Sequence, residues 1–418
     1  MRIVVHGGHA LQGTFRASGN SNAALALTAA ALLTDQVVTL HNVPDTLSTG
    51  LMLEAAQALG ATITREGSRV ALQTPTILTR DLDVGQQAST LLFLAPILAR
   101  RRHARIEIDF PASQLYSRLV ALRDLDINVH LRGNILDFEA NPWEERTITL
   151  VETSVTTTAL VSMLAAVLGK RTEIYNAASE PHIQDLHHLL VQMGARIEGI
   201  GSNRLIIHGT ETPGGGELQL APDHIEIASI VAIGALTHGT LTVEGVRPDH
   251  LGIITRVYGR LGINTFLNGD SLFLPVHETL VASQRAEEID VPIDTAPWPG
   301  FPSDLVAMTT VVATQTRGTT LIHEKLYNNR LLFVDKLTAM GAQIVLCDPH
   351  RALVVGPSPL HSEYMDTPDV RTGLALLGAA LCTNGSVTID SAELIDRTFE
   401  NVVQRLVELG AQIEVVIP

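Results

Sequence analysis

Leu59-Gly60-Ala61, Met193-Gly194-Ala195, Met340-Gly341-Ala342 and Leu409-Gly410-Ala411 each close an amphipathic helical run and open a short strand. Leu125-Asp126-Ile127 and Leu261-Gly262-Ile263 complete a series of six, spaced by roughly 66 to 79 residues. Such a period is too long for a solenoid unit and fits a small supersecondary module. Glycine suits the place after a helix because the left-handed C-terminal conformation carries no Cβ penalty there.

Outward from these turns, each module holds a second helix of another kind. Residues 22–33, 88–99, 156–168, 225–236, 305–314 and 373–382 are rich in Ala and Leu and apolar on nearly every face. A helix with no polar face must be surrounded by protein. Each is followed by a short alternating strand, as in Gln36-Val37-Val38-Thr39-Leu40 and Thr240-Leu241-Thr242-Val243, which implies one buried and one wet face. The predicted fold is therefore α/β, a two-domain inside-out barrel of six β-α-β-α-β-β repeats with buried helices and outer sheets. That arrangement reverses an ordinary α/β barrel. Six modules divide into two groups of three. The strand at residues 2–5 precedes the first module and is expected to pair with the last, near the closing strand 412–417. One domain is then discontinuous, residues 1–19 plus 225–418, and the other spans 20–224. Crossings near 18–20 and 222–224 make a two-strand hinge, and ligand sites commonly lie at interdomain clefts.

Composition narrows the function. With 418 residues, 45% hydrophobic and 17% charged, the chain can bury more than one core. A formal net charge of -15 argues against a protein that neutralises a nucleic-acid backbone, so an anionic ligand must be caught by a local arginine cluster. Cys347 and Cys382 lie in apolar stretches and are expected as buried thiols in a reducing compartment. Residues 1–13 show no charged leader before a long apolar run, and no apolar run approaches the roughly 18 residues that cross a bilayer. The expected location is the cytoplasm, with neither membrane nor nucleic acid as partner. Sixteen histidines show no paired metal spacing, and adjacent His187 and His188 point to different helix faces, so no metal site is expected. Pro213-Gly214-Gly215-Gly216 lacks the strand-to-helix context of a phosphate loop and is predicted to be a flexible surface turn.

Several segments, in one order and spacing, carry a likeness over essentially the whole chain. They are Gly19-Asn20-Ser21-Asn22-Ala23, Glu180-Pro181-His182-Ile183-Gln184-Asp185-Leu186, Pro222-Asp223-His224-Ile225-Glu226, Pro299-Gly300-Phe301-Pro302-Ser303-Asp304, Asn329-Arg330, Asp369-Val370-Arg371-Thr372-Gly373 and Asp396-Arg397. The chain resembles the UDP-N-acetylglucosamine 1-carboxyvinyltransferases and, more distantly, 5-enolpyruvylshikimate-3-phosphate synthase. This resemblance implies transfer of the enolpyruvyl group of phosphoenolpyruvate to a sugar hydroxyl of UDP-N-acetylglucosamine in peptidoglycan precursor synthesis, by addition and elimination and without a cofactor. Another nucleotide or metabolite acceptor, or a homologue that binds nucleotide sugars with little or no catalysis, stays open.

The chemistry needs a base for the hydroxyl proton, an acid for the vinyl carbon, cations for phosphate and carboxylate, and exclusion of water. By resemblance the catalytic residues are Asp304, Arg397 and Asp369. The substrate-binding residues are Asn22, Arg118, Ser154, Val155, Thr156, Leu326, Arg330 and Arg371. The residues themselves support part of this. Asp304 follows a stiff Pro-rich turn and leads into a buried helix, where capping is the plainer role. Asp369 stands equally well as a helix cap. Arg330 and Arg397 are predicted at the starts of amphipathic helices, where guanidinium groups beside helix N-termini suit an anion. Ser154-Val155-Thr156-Thr157-Thr158 offers hydroxyls and free amides before a buried helix.

Three positions depart from the family's pattern: Ser21 stands for a lysine, Gln87 for an arginine and Ser113 for a reactive-loop cysteine. The stretch after Arg118 is also shorter and lacks a Pro-x-Asp segment. Losing one partner of a desolvated charge pair typically costs about 2 to 5 kcal/mol, so two cations and an acid are a heavy loss unless replaced. Arg101, Arg102 and Arg105 are candidate replacements for the cations, and Asp109 for the acid.

Overall fold

The computed structural model describes residues 1–83, 88–283, 291–367 and 369–416. Gln87 lies outside them. The chain divides into two compact units, Met1–Ser18 with Pro222–Pro418, and Gly19–Ala221.

Each unit has its own core of buried helices. In the continuous unit these are α1 (Ser21–Ala31), α3 (Leu94–Arg101) and α5 (Val155–Leu168), and each module's second helix is α2 (Leu47–Ala58), α4 (Tyr116–Asp124) or α6 (Pro181–Gln192). In the discontinuous unit the buried set is α7 (His224–Leu236), α9 (Val306–Gln315) and α11 (Val370–Leu381), with α8 (Gly252–Arg260), α10 (Val334–Ala339) and α12 (Val402–Glu408) as the others. Every residue of α7 is buried, which its Ile/Ala sequence permits because no polar stripe interrupts it. The helical stretch beginning at Ala88 opens as a 3-10 turn, Ala88–Phe93, before α3.

Six sheets cover these cores among the described residues, and their strand order repeats. In the third module of the continuous unit, Trp143–Thr149 pairs parallel with Gly169–Tyr175, which pairs antiparallel with Arg204–His208, with Arg196–Glu198 at the edge. One module thus reads strand, helix, strand, helix, hairpin, and strands alternate between a buried and a wetter face, as in Arg69–Gln73. The last sheet of the discontinuous unit takes the N-terminal strand Arg2–His6 between Ser386–Asp390 and Gln412–Val416. The repeated turns are left-handed: Gly60, Gly194, Gly262, Gly341 and Gly410 have φ between 87° and 111°, and Asp126, where glycine is replaced, adopts 66°.

In the discontinuous unit the two chain ends that leave it are tied together. The Asp223 amide donates to the Ser18 carbonyl at 2.8 Å. Glu226, 1% exposed, accepts from the Ser18 amide and from Arg405 Nη1, both at 2.8 Å, and the same Nη1 donates to Ser18 Oγ at 2.8 Å. Arg405 also donates to the Arg16 carbonyl and lies over the Phe15 ring, its guanidinium carbon 3.8 Å from the centroid. Burial pushes Glu226 up to about 7 against the pull of Arg405. In the continuous unit the Asn20 amide donates to the Ala221 carbonyl at 2.9 Å. Gly19 leaves no room for a side chain, since a Cβ would stand 1.8 Å from the Asn42 carbonyl oxygen.

Two expectations fail. Cys347 is exposed because a register shift between Leu346 and Asp348 leaves it opposite no partner in the edge strand Gln343–Asp348. The Pro213 to Gly216 run is packed rather than free: Thr34 Oγ1 donates to the Pro213 carbonyl at 2.7 Å, and a Cβ on Gly215 would meet the Val37 carbonyl oxygen at 2.3 Å.

Candidate functional site

In the discontinuous unit one carboxylate gathers two arginines. Asp304 lies in the 3-10 turn Ser303–Leu305 that follows the Pro-rich segment. Its Oδ1 accepts from Arg330 Nη1 at 3.2 Å, and its Oδ2 stands 3.5 Å from Arg371 Nη2. Arg371 also lies over the Phe399 ring at 5.0 Å, and its Nη1 is buried without a hydrogen-bond partner. Arg330 stacks over Tyr327 at 4.7 Å. Planar guanidinium groups laid on rings keep their in-plane donors free for carboxylate or phosphate.

The frame behind this cluster centres on Glu324, which the sequence reading did not single out. It is wholly buried, accepts Ser303 Oγ at 2.6 Å and Thr295 Oγ1 at 3.0 Å, and accepts the amides of Leu326 and Tyr327 at 2.7 and 3.0 Å. One carboxylate therefore bolts the Asp304 turn to the loop that carries Leu326 and Arg330. Buried carboxylates are tolerated when they are hydrogen-bonded, and both oxygens of Glu324 accept. Leu326 itself is 39% exposed. Arg330 precedes α10 in a turn rather than starting it, and Arg397 ends the 3-10 helix Ala392–Arg397, several residues before α12.

Asp369 is a helix cap. Its Oδ1 accepts the amides of Arg371 and Thr372 at 3.0 Å each, and its Oδ2 accepts the Thr372 hydroxyl at 2.6 Å. It fixes the first turn of α11, which presents Arg371 to Asp304.

The continuous unit carries the remaining candidates. Ser154 caps α5, accepting from the Thr157 amide at 3.3 Å and the Thr157 hydroxyl at 3.0 Å, and Val155 and Thr156 begin the helix half-buried. Against α5 packs α4 with Arg118, whose Nε is buried and unpartnered and whose Nη1 reaches the Gln114 carbonyl at only 3.4 Å. Burial pulls this guanidinium below its usual range and Glu152 partly opposes that. Asn22 stands on α1, half-buried, beside the cap Asn20, whose side chain accepts the Ala23 amide at 3.0 Å. Ser21 is buried with its hydroxyl 3.3 Å from Thr46 Oγ1. Ser113 and Asp109 are exposed. Arg101 Nη1 donates to the Ile77 carbonyl at 2.7 Å, and Arg102 is the left-handed residue that ends α3.

Modules with helices inside and sheets outside, one unit bearing a carboxylate clasped by two arginines, define an enolpyruvyl transferase fold. The solved enolpyruvyl transferase NikO from Streptomyces tendae superposes with a TM-score of 0.87 at 24% identity, covering 99% of this chain and 98% of that one. EPSP synthase from Acinetobacter baumannii superposes at 0.78 with 15% identity, covering both chains fully. The chain belongs to the EPSP synthase (3-phosphoshikimate 1-carboxyvinyltransferase) family, whose sequence model matches residues 5–406. Among curated relatives, a UDP-N-acetylglucosamine 1-carboxyvinyltransferase of Bradyrhizobium diazoefficiens is 39% identical over 99% of this chain and 98% of its own length. One of Treponema denticola is 39% identical over 98% of each.

Proposed function

We propose that the protein transfers the enolpyruvyl group of phosphoenolpyruvate to a hydroxyl of UDP-N-acetylglucosamine. The observation that carries this is the Asp304, Arg330 and Arg371 cluster in a chain 39% identical over its length to transferases of that name. Asp304 takes the proton of the acceptor hydroxyl as its oxygen bonds to C2 of phosphoenolpyruvate, and C3 takes up a proton. In the second half C3 returns its proton, the double bond re-forms and the C2–phosphate bond breaks, releasing inorganic phosphate. Two guanidiniums beside Asp304 offer donors to the anionic substrate. Arg397, in the segment before α12, is a further candidate cation for the anionic substrate. Ser113 is not the donor to C3, because an exposed hydroxyl holds its proton far too tightly at neutral pH.

The candidate residues for the nucleotide sugar in the continuous unit are Asn22, Arg118 and the α5 start at Ser154, Val155 and Thr156. A cytoplasmic setting fits both substrates, and no helix among the described residues is long and apolar enough to cross a membrane. Incubation with phosphoenolpyruvate and UDP-N-acetylglucosamine should release phosphate only when both are present. Release no faster than from a blank would overturn the reading.

A further inference from the structure

His224 is the first residue of α7, 3% exposed, and its Nδ1 has no hydrogen-bond partner. Its ring meets the edge of Trp298 at 5.4 Å between centroids and that of His250 at 6.1 Å. The start of α7 packs on the turn that carries Asp304, and the imidazole lies within electrostatic reach of both Asp304 and Arg371. Burial beside His250 pushes it down to about 3, so the ring is neutral and adds no charge to the cluster. Its neighbour Asp223 is already spent, accepting the amides of Ile225 and Glu226 at 2.9 and 3.3 Å. The imidazole nitrogen and Arg371 Nη1 are therefore two buried polar groups without partners, on the helices α7 and α11 that pack together. Buried polar groups are almost always paired, so both positions point to a polar atom that arrives with a ligand.

Building on the transferase reading, we propose that His224 contacts the substrate, its Nδ1–H donating to an anionic oxygen of phosphoenolpyruvate beside the free arm of Arg371. The ring stack of Trp298 and His250 holds the imidazole plane, and the neutral ring supplies a donor without competing with the two arginines for Asp304.

Two substitutions separate the nitrogen from the ring. His224→Phe keeps the stack and removes the donor, and His224→Gln keeps a donor and removes the stack. The expected result is a KM for phosphoenolpyruvate raised roughly 10- to 100-fold in the Phe variant and within about 3-fold of the parent in the Gln variant. The KM for the nucleotide sugar and the thermal midpoint should stay unchanged in both. Quenching of Trp298 fluorescence by phosphoenolpyruvate gives the same comparison without turnover. Inorganic phosphate and pyruvate as competitors identify the oxygen: weaker phosphate inhibition in His224→Phe marks the phosphoryl group, and weaker pyruvate inhibition marks the carboxylate. A Phe variant that binds phosphoenolpyruvate like the parent, or variants that lose it equally, overturns the proposal while leaving the transferase reading intact. A parent that binds phosphoenolpyruvate through His224 but never turns over defeats that reading instead.

Discussion

On the proposed reading Asp304 is the base, and two arginines surround it. Arg330 Nη1 at 3.2 Å and Arg371 Nη2 at 3.5 Å hold the two oxygens of this carboxylate in place. Asp304→Asn keeps the shape and removes the base, and should lower kcat by about 10²- to 10⁴-fold in a phosphate-release assay with little change in thermal midpoint. Asp369 caps α11. Its carboxylate is spent on the first turn of α11, so Asp369→Ala should cost about 0.5 to 2 kcal/mol of stability in urea unfolding, as loss of a helix cap does. A variant as stable as the parent would contradict the capping role. Asp304, Arg330 and Arg371 were named in the sequence through the family resemblance. Glu324 lay in none of the resembling segments, and although His224 lay in one, its meeting with His250 and Trp298, like that of Glu324 with Thr295 and Ser303, joins distant segments that no local pattern reveals.

At the level of elements, apolar composition on nearly every face located α1, α5, α7 and α9 within a residue or two, because surroundings without water leave no room for a polar stripe, whereas α3 starts six residues late, after a 3-10 turn, and α11 three residues early. Edge strands were harder, since Cys347 owes its exposure to a bulge that alternation alone does not reveal. The tie between α7, α12 and the segment at Ser18 gives a pH test. Folded, Glu226 holds its proton up to about 7, whereas an unfolded glutamate releases it near 4.5. A carboxylate raised on folding contributes stability that is complete below the unfolded value and lost as pH climbs through the folded one. The parent should therefore lose stability relative to Glu226→Gln between about pH 4.5 and pH 7, read from urea midpoints across that window. A constant difference between the two proteins would show that Glu226 does not titrate there.

For the whole molecule, the sixfold turn series carried the architecture, because each module repeats the same buried helix, left-handed turn and hairpin. The two units have separate cores, and the continuous one runs unbroken from Gly19 to Ala221. A fragment of residues 19–221 should fold alone and unfold cooperatively by circular dichroism, since a domain with its own core does not need its neighbour. A fragment without a cooperative transition would mean that the cores are not independent.

The central claim is a chemical one: a carboxylate between two arginines drives an enolpyruvyl group onto a sugar hydroxyl. Mass spectrometry of UDP-N-acetylglucosamine after incubation with phosphoenolpyruvate and the purified protein tests it most directly. The account predicts a new species heavier by one enolpyruvyl group, formed with the parent and nearly absent with Asp304→Asn. Unaltered nucleotide sugar with the parent, or equal product from both proteins, would contradict it.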